Sequence, residues 1–127
     1  MWSIVLPTGW IPPTIIQVIP LARVVAAGSV ERGVAICGSG VGASVCTSKV
    51  LGIRAALIHD HFSAKQGVED DDINIICVGG RTIGPAVAWD VVEAFLTARF
   101  SGAERHLRRL GKVGSLEAQA NENVKAL

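Results

Sequence analysis

Gly33-Val34-Ala35-Ile36-Cys37-Gly38-Ser39-Gly40-Val41-Gly42 decides how this chain folds. An unbroken apolar run enters a loop with glycine at every second position. A run of this kind, apolar rather than alternating, reads as a strand covered on both faces, as in a parallel sheet. The glycines turn the chain, and residues 42–50 read as a helix.

The alternation repeats downstream. Arg54-Ala55-Ala56-Leu57-Ile58 is a second buried strand, with a helix expected over 63–68. Asn74-Ile75-Ile76-Cys77-Val78 is a third, stopped by Gly79-Gly80. Pro85 stands where a helix can begin, because the first turn does not use the N–H that proline lacks. On that helix Trp89, Val92 and Leu96 share one face, and Asp90, Glu93 and Thr97 another. A basic segment over 104–112 and a polar tail follow. Upstream, residues 21–27 form a helical run that Gly28 closes. Residues 1–20 differ: they are rich in Pro, Trp and Ile, carry no charge, and suggest at most a short strand near 14–19. The expected organisation is an atypical segment 1–20, a main domain 21–113 and a tail 114–127 that continues as helix.

Strand and helix in alternation predict an α/β fold, a Rossmann-like parallel sheet with helices on both faces. Ligands of such sheets bind at the carboxyl ends of the strands. That rule puts residues 37–42, 59–62 and 79–82 on one functional edge.

Composition narrows the function. The chain has 127 residues, half of them hydrophobic and 18% charged, which fits a single well-buried core. A net charge of +1 gives no bulk attraction to nucleic acid or to an anionic membrane, so any anion site must be local. Three cysteines, Cys37, Cys46 and Cys77, are odd in number and lack metal spacing. Neither a disulfide framework nor a metal is expected, and a reducing cytoplasm is the natural setting. A signal peptide is not expected from the charge-free start, since no basic region precedes its apolar stretch. Pro7, Pro12, Pro13 and Pro20 break it before the ~20 apolar residues that a membrane span needs.

Four segments could carry chemistry. In the Cys37–Gly42 loop, alternate glycines bring backbone N–H groups close to a ligand, an arrangement that binds anions. A thiol in that field is favoured as thiolate and can act as a base. The plainer reading is a tight turn with an incidental cysteine. A dinucleotide fold would want Gly-x-Gly-x-x-Gly, which this loop lacks, and no acidic residue ends a following strand at ribose distance. The second segment holds Arg105, His106, Arg108 and Arg109. Arg105 and Arg109 are four apart and share a helix face, so they could grip a phosphate, or simply form a solvated basic face. The third, Glu69-Asp70-Asp71-Asp72, reads as a solvated helix boundary. The fourth, His59-Asp60-His61, falls on the ligand edge.

Taken together, these segments resemble the ribose-5-phosphate isomerase type B and galactose-6-phosphate isomerase family. The likeness runs from residues 33–42 through Lys49-Val50-Leu51-Gly52-Ile53-Arg54-Ala55-Ala56, His59-Asp60, Asn74 and Gly79-Gly80-Arg81-Thr82-Ile83-Gly84-Pro85 to Arg105-His106 and Arg109. The resemblance implies a reversible aldose–ketose isomerisation of a sugar phosphate through an enediolate, without metal or organic cofactor. It implies Cys37 as the proton-transfer base. The amides of Gly38, Gly40, Val41 and Gly42 would hold the enediolate oxygen, and Ser39 would keep a hydroxyl where the family has threonine. Arg105 and Arg109 would bind the phosphate with Arg81 as a helper. Homodimers, or tetramers, would share their sites between subunits.

Three departures accompany the likeness. The family opens with a strand ending in Asp-His, and residues 1–20 contain neither residue, so that strand is expected to be missing or replaced. The family's ring-opening histidine and the following asparagine align with Asp70 and Asp71; Asp70 would have to be held protonated to serve as an acid, and His61 could supply the lost imidazole. One extra residue falls near Ala103-Glu104. A non-catalytic phosphosugar-binding paralogue is therefore the alternative reading.

Overall fold

A computed structural model describes residues 2–5 and 18–127. In chain order the elements are β1 (Trp2–Val5), α1 (Val18–Ala26), β2 (Arg32–Cys37), α2 (Val41–Thr47), β3 (Ala55–Leu57), α3 (His61–Asp71), β4 (Ile75–Gly79), α4 (Pro85–Thr97) and α5 (Glu104–Lys125). The strands form one sheet in the order β1-β2-β4-β3, every pair parallel.

The central strands are the two apolar runs. Every residue of β4 is buried, as are the first four of β2. Alternate side chains feed two cores. Val34, Ile76 and Val78 pack with Val68 of α3 and Val91 and Phe95 of α4 on one face. Ala35, Ile75 and Cys77 pack with Leu21, Ala22 and Val25 of α1 and Ala43 of α2 on the other. Both faces are thus covered, as contiguous apolar strands require.

The sheet edge beside β2 is occupied. Residues 2–5 pair in register with β2, Trp2 opposite Arg32 through Val5 opposite Ala35. A strand therefore does replace the expected first strand, but it lies at 2–5 rather than near 14–19. Of that stretch, residues 14–17 lie outside the described residues, and Val18 and Ile19 open α1.

Other boundaries move by a few residues. α2 stops at Thr47, whose fully buried hydroxyl bonds back to the Ala43 carbonyl at 2.7 Å. α3 starts two residues early because Asp60 accepts the Ser63 N–H at 2.7 Å as its N-cap. That backbone bond, first among the causes, holds the Asp60 carboxyl below its ordinary range. On α4 the buried residues are Val91, Val92, Ala94 and Phe95, and Trp89 is 64% exposed. Of the expected Trp89–Val92–Leu96 face, Val92 lies in the core and Leu96 packs half-buried against it, whereas Trp89 is left exposed. The basic segment and the tail are a single 22-residue helix in which only His106 is buried. No helix among the described residues is long and apolar enough to cross a membrane.

Two polar links, one buried and one partly exposed, fix the amino edge of the sheet. Arg32, 5% exposed, donates to the carbonyls of Phe95 and Leu96 at the end of α4, with its guanidinium 5.5 Å from the Phe95 ring centre. Burial pulls its pKa below the usual value, and these acceptors offset the cost of desolvating the charge. Asn74 accepts the Arg54 N–H at 2.8 Å and donates to the Gly52 carbonyl at 2.9 Å. Arg54 in turn donates to the Asp72 carbonyl at 2.7 Å, which ties the end of α3 to the entry of β3.

Candidate active site

The three segments expected on one edge do meet there. β2 delivers Cys37, half-buried, at its carboxyl end. The Cys37 carbonyl accepts the Gly80 N–H at 2.8 Å, and the Gly38 carbonyl accepts the Arg81 N–H at 3.0 Å. The loop after β2 is therefore laced to the loop after β4. Arg81 lies beside the cysteine loop, its Cδ 3.9 Å from where a Gly38 side chain would begin.

Inside the loop the main chain turns back onto the thiol. The Gly40 N–H donates to Cys37 Sγ at 3.1 Å, and the Val41 N–H donates to Ser39 Oγ at 3.3 Å. Gly40 has φ +79°, a left-handed conformation that side chains disfavour. A Cβ there would come within 2.6 Å of Leu57 Cδ1 and 3.0 Å of the Val78 carbonyl carbon. Gly79 has an equally tight seat, since a Cβ would meet the Ser39 carbonyl oxygen at 2.7 Å. Gly38, Ser39, Val41 and Gly42 are exposed, so the turn presents its backbone to solvent or ligand.

The two histidines on this edge differ. His59 is half-buried, and its Nε2 accepts the Gly79 N–H at 2.9 Å. His61 opens α3 with its Nδ1 3.0 Å and 3.1 Å from the two carboxylate oxygens of Asp90, both residues exposed. Sequence reasoning missed Asp90, which pairs with His61 across 29 positions.

Asp70, Asp71, Arg105 and Arg109 form a second cluster at the opposite edge. β4 runs from its start at Ile75 to Gly79, about 13 Å at ~3.3 Å per residue, and α3 runs back antiparallel to it. The last turn of α3 therefore lies at the amino ends of the strands, away from Cys37. There Arg109 donates to Asp71 Oδ1 at 2.8 Å and to the Asp70 carbonyl at 3.4 Å. Asp70 accepts from Gln66 at 2.7 Å and lies 3.4 Å from His106 Nε2. His106, 3% exposed, is held by Ser101 Oγ at 2.7 Å from Nδ1 and by Arg105, whose Nε donates to Nε2 at 3.0 Å. Arg105 and Arg109 thus share a helix but not a partner. One chain does not bring Asp70, Asp71, Arg105 or Arg109 to the Cys37 loop, because α3 carries its carboxyl end the length of the sheet away. Among the described residues no three His, Cys, Asp or Glu side chains converge as a metal site.

These features define a Rossmann-like α/β protein with a cysteine–amide loop on the carboxyl edge of its sheet and an arginine-bearing helix on the other. The chain belongs to the ribose/galactose isomerase family, whose model matches residues 15–113. It is 47% identical over 98 residues to the putative sugar phosphate isomerase YwlF of Bacillus subtilis, covering 77% of this chain and 65% of that protein. It is 36% identical over 101 residues to ribose-5-phosphate isomerase B of Escherichia coli, covering 80% of this chain and 67% of that one. The type B ribose 5-phosphate isomerase of Trypanosoma cruzi superposes with a TM-score of 0.81 at 45% identity, over 83% of this chain and 70% of that chain. The chain thus spans just under two thirds of the length of its Bacillus relative.

Proposed function

We propose that this chain interconverts an aldose phosphate and its ketose, with Cys37 as the base. The observation that carries the reading is the Gly40 amide donating to Cys37 Sγ inside a loop laced to β4. A thiolate so placed removes the proton on C2 of the open-chain aldose. The electron pair forms the C1–C2 double bond and the carbonyl electrons move onto O1, giving an enediolate. The main-chain amides of Gly38 and Gly42 offset that charge, while those of Gly40 and Val41 already donate to Cys37 Sγ and Ser39 Oγ. Passing the O2 proton to O1 and returning the Cys37 proton to C1 closes the C2 carbonyl and yields the ketose. The Ser39 oxygen accepts from Val41, which leaves its O–H to donate to a substrate oxygen. Arg81 flanks the same loop.

The phosphate end needs a second copy. Arg105 and Arg109 suit a phosphate, and a two-fold dimer can lay the amino edge of one chain against the carboxyl edge of the other. In that arrangement Asp70 and Asp71 of the second copy reach the sugar, Asp70 as the acid or base of ring opening. His61, oriented by Asp90, is the imidazole that the first copy offers. None of the three cysteines is joined in a disulfide, which suits a reducing cytoplasm.

The test is to incubate purified protein with ribose 5-phosphate and longer and shorter aldose phosphates and to follow ketose formation. Cys37→Ala is expected to lower turnover about a hundred-fold or more. Normal turnover by that variant sinks the role of Cys37. A second reading, phosphosugar binding without turnover, draws on the Asp71–Arg109 ion pair, which already occupies a phosphate-binding arginine. It predicts a raised melting temperature with sugar phosphate and no product.

A further inference from the structure

The geometry points to His59 as a positioning residue that sets the shape of the cysteine loop from the far side of β4. Main-chain atoms link the carboxyl ends of β3 and β4 as far as Ile58, whose N–H donates to the Cys77 carbonyl at 3.1 Å. The chain then leaves the sheet, and the next β4 amide on that side, Gly79 N–H, is taken at 2.9 Å by the His59 ring. A side chain stands in for the missing strand at the last rung. A main-chain N–H can only donate, so Nε2 carries the lone pair, the proton resides on Nδ1, and the imidazole is neutral.

What Gly79 supports makes this rung matter. The Ser39 carbonyl lies so close over Gly79 that no Cβ fits between them. Gly40 in the next position is pressed against the Val78 carbonyl carbon and the Gly79 nitrogen. Gly79 also turns the chain toward the two bonds that lace it to the loop, from Gly80 to Cys37 and from Arg81 to Gly38. The Gly40 amide that reaches Cys37 Sγ therefore rests on a peptide whose N–H is held by His59. His59 touches no reacting atom. It acts through Gly79 on where the amides of the loop point, and a loop aimed for the enediolate loses its differential stabilisation when they shift.

The inference deepens the isomerase reading, and its kinetic arm rests on it. The decisive comparison is His59→Phe against His59→Gln. Phenylalanine fills the ring's space without an acceptor, whereas the glutamine oxygen can accept at a similar reach. The expected result for His59→Phe is a kcat lowered ten-fold or more (~1.4 kcal/mol per factor of ten) at a KM changed less than about two-fold, with most of the kcat restored in His59→Gln. A second measurement needs no substrate: the rate at which iodoacetamide alkylates Cys37, mapped by mass spectrometry, with hydrogen exchange at the Gly79 amide. His59→Phe is expected to slow alkylation several-fold and to speed that exchange, and His59→Gln to reverse both. If the wild-type protein turns over no sugar phosphate yet alkylation responds in this way, the isomerase reading fails and the positioning role stands. Wild-type kcat together with unchanged Cys37 alkylation in folded His59→Phe overturns it. So does a His59→Gln variant as impaired as His59→Phe in every readout.

Discussion

Cys37 and Asp70 stand at opposite ends of one parallel sheet, Cys37 closing β2 and Asp70 in the last turn of the helix that runs back to the start of β4. The right-handed β-α-β connection enforces this. A helix that leaves the carboxyl edge after β3 must end at the amino edge before β4 begins. A site that uses both residues must draw them from two chains.

Mixed dimers test that requirement. Cys37→Ala and Asp70→Ala proteins are each expected to be inactive alone. Unfolding and refolding them together in equal amounts should yield one intact site in each heterodimer, and so about a quarter of wild-type activity per chain. Activity assays before and after co-refolding read this directly. No recovery from a verified heterodimer would show that the two residues do not share a site.

Gly40 is the least replaceable residue of the loop. Its φ of +79° strains any side chain, and a Cβ would press on Leu57 and the Val78 backbone. Gly40→Ala is expected to cost about 2 kcal/mol or more in stability and to displace the amide that faces Cys37. Chemical denaturation measures the first effect. A midpoint within error of wild type would mean that the turn relaxes without cost.

Much of this architecture was legible in the sequence because it is local. β2 and β4 announce themselves as contiguous apolar runs, and the glycines after Cys37 name the turn that follows. The face of α4 was not legible in the same way. Trp89–Val92–Leu96 and Val91–Ala94–Phe95 both fit a helical period, and contact with α3 and the sheet, not periodicity, buries all of the second set while leaving Trp89 of the first exposed. The separation of Arg109 from Cys37 is likewise a property of topology. Motif spacing places both near ligand, and only the direction of α3 shows that they face different edges. The His59–Gly79 bond spans 20 positions and has no sequence signature beyond a histidine at the end of a strand.

Asp71 holds Arg109, the arginine proposed above to bind the phosphate. Its carboxylate lies 2.8 Å from the guanidinium, and on that proposal a dianionic phosphate has to displace it. The pair is half-exposed, so its strength is modest and screened by salt. Asp71→Asn keeps a hydrogen-bond acceptor and removes the charge. It is expected to tighten inorganic phosphate binding roughly two- to five-fold at low ionic strength, with the gain shrinking as salt rises. Titration calorimetry at two salt concentrations distinguishes this from an unchanged affinity, which would make the ion pair a bystander.

Cys77 links the core to alkaline pH. Burial, partly countered by the hydrogen-bonding contact with Thr47, pushes its thiol up to about 11 from 9.0. The folded value exceeds the unfolded one, so the contribution to stability is complete below pH 9. It is lost as pH rises from 9 toward 11, where the unfolded chain releases a proton that the folded chain keeps. The loss over that window is about 2 to 3 kcal/mol. Cys77→Ala is expected to be less stable at pH 8, because it leaves a small void among Ala35, Ala43 and Ile75, yet to decline less steeply above pH 9. Urea unfolding of both proteins at pH 8, 9 and 10 isolates the thiol from other alkaline titrations, since those are common to the pair. Parallel stability curves would show that Cys77 ionises as readily in the folded core as in the unfolded chain.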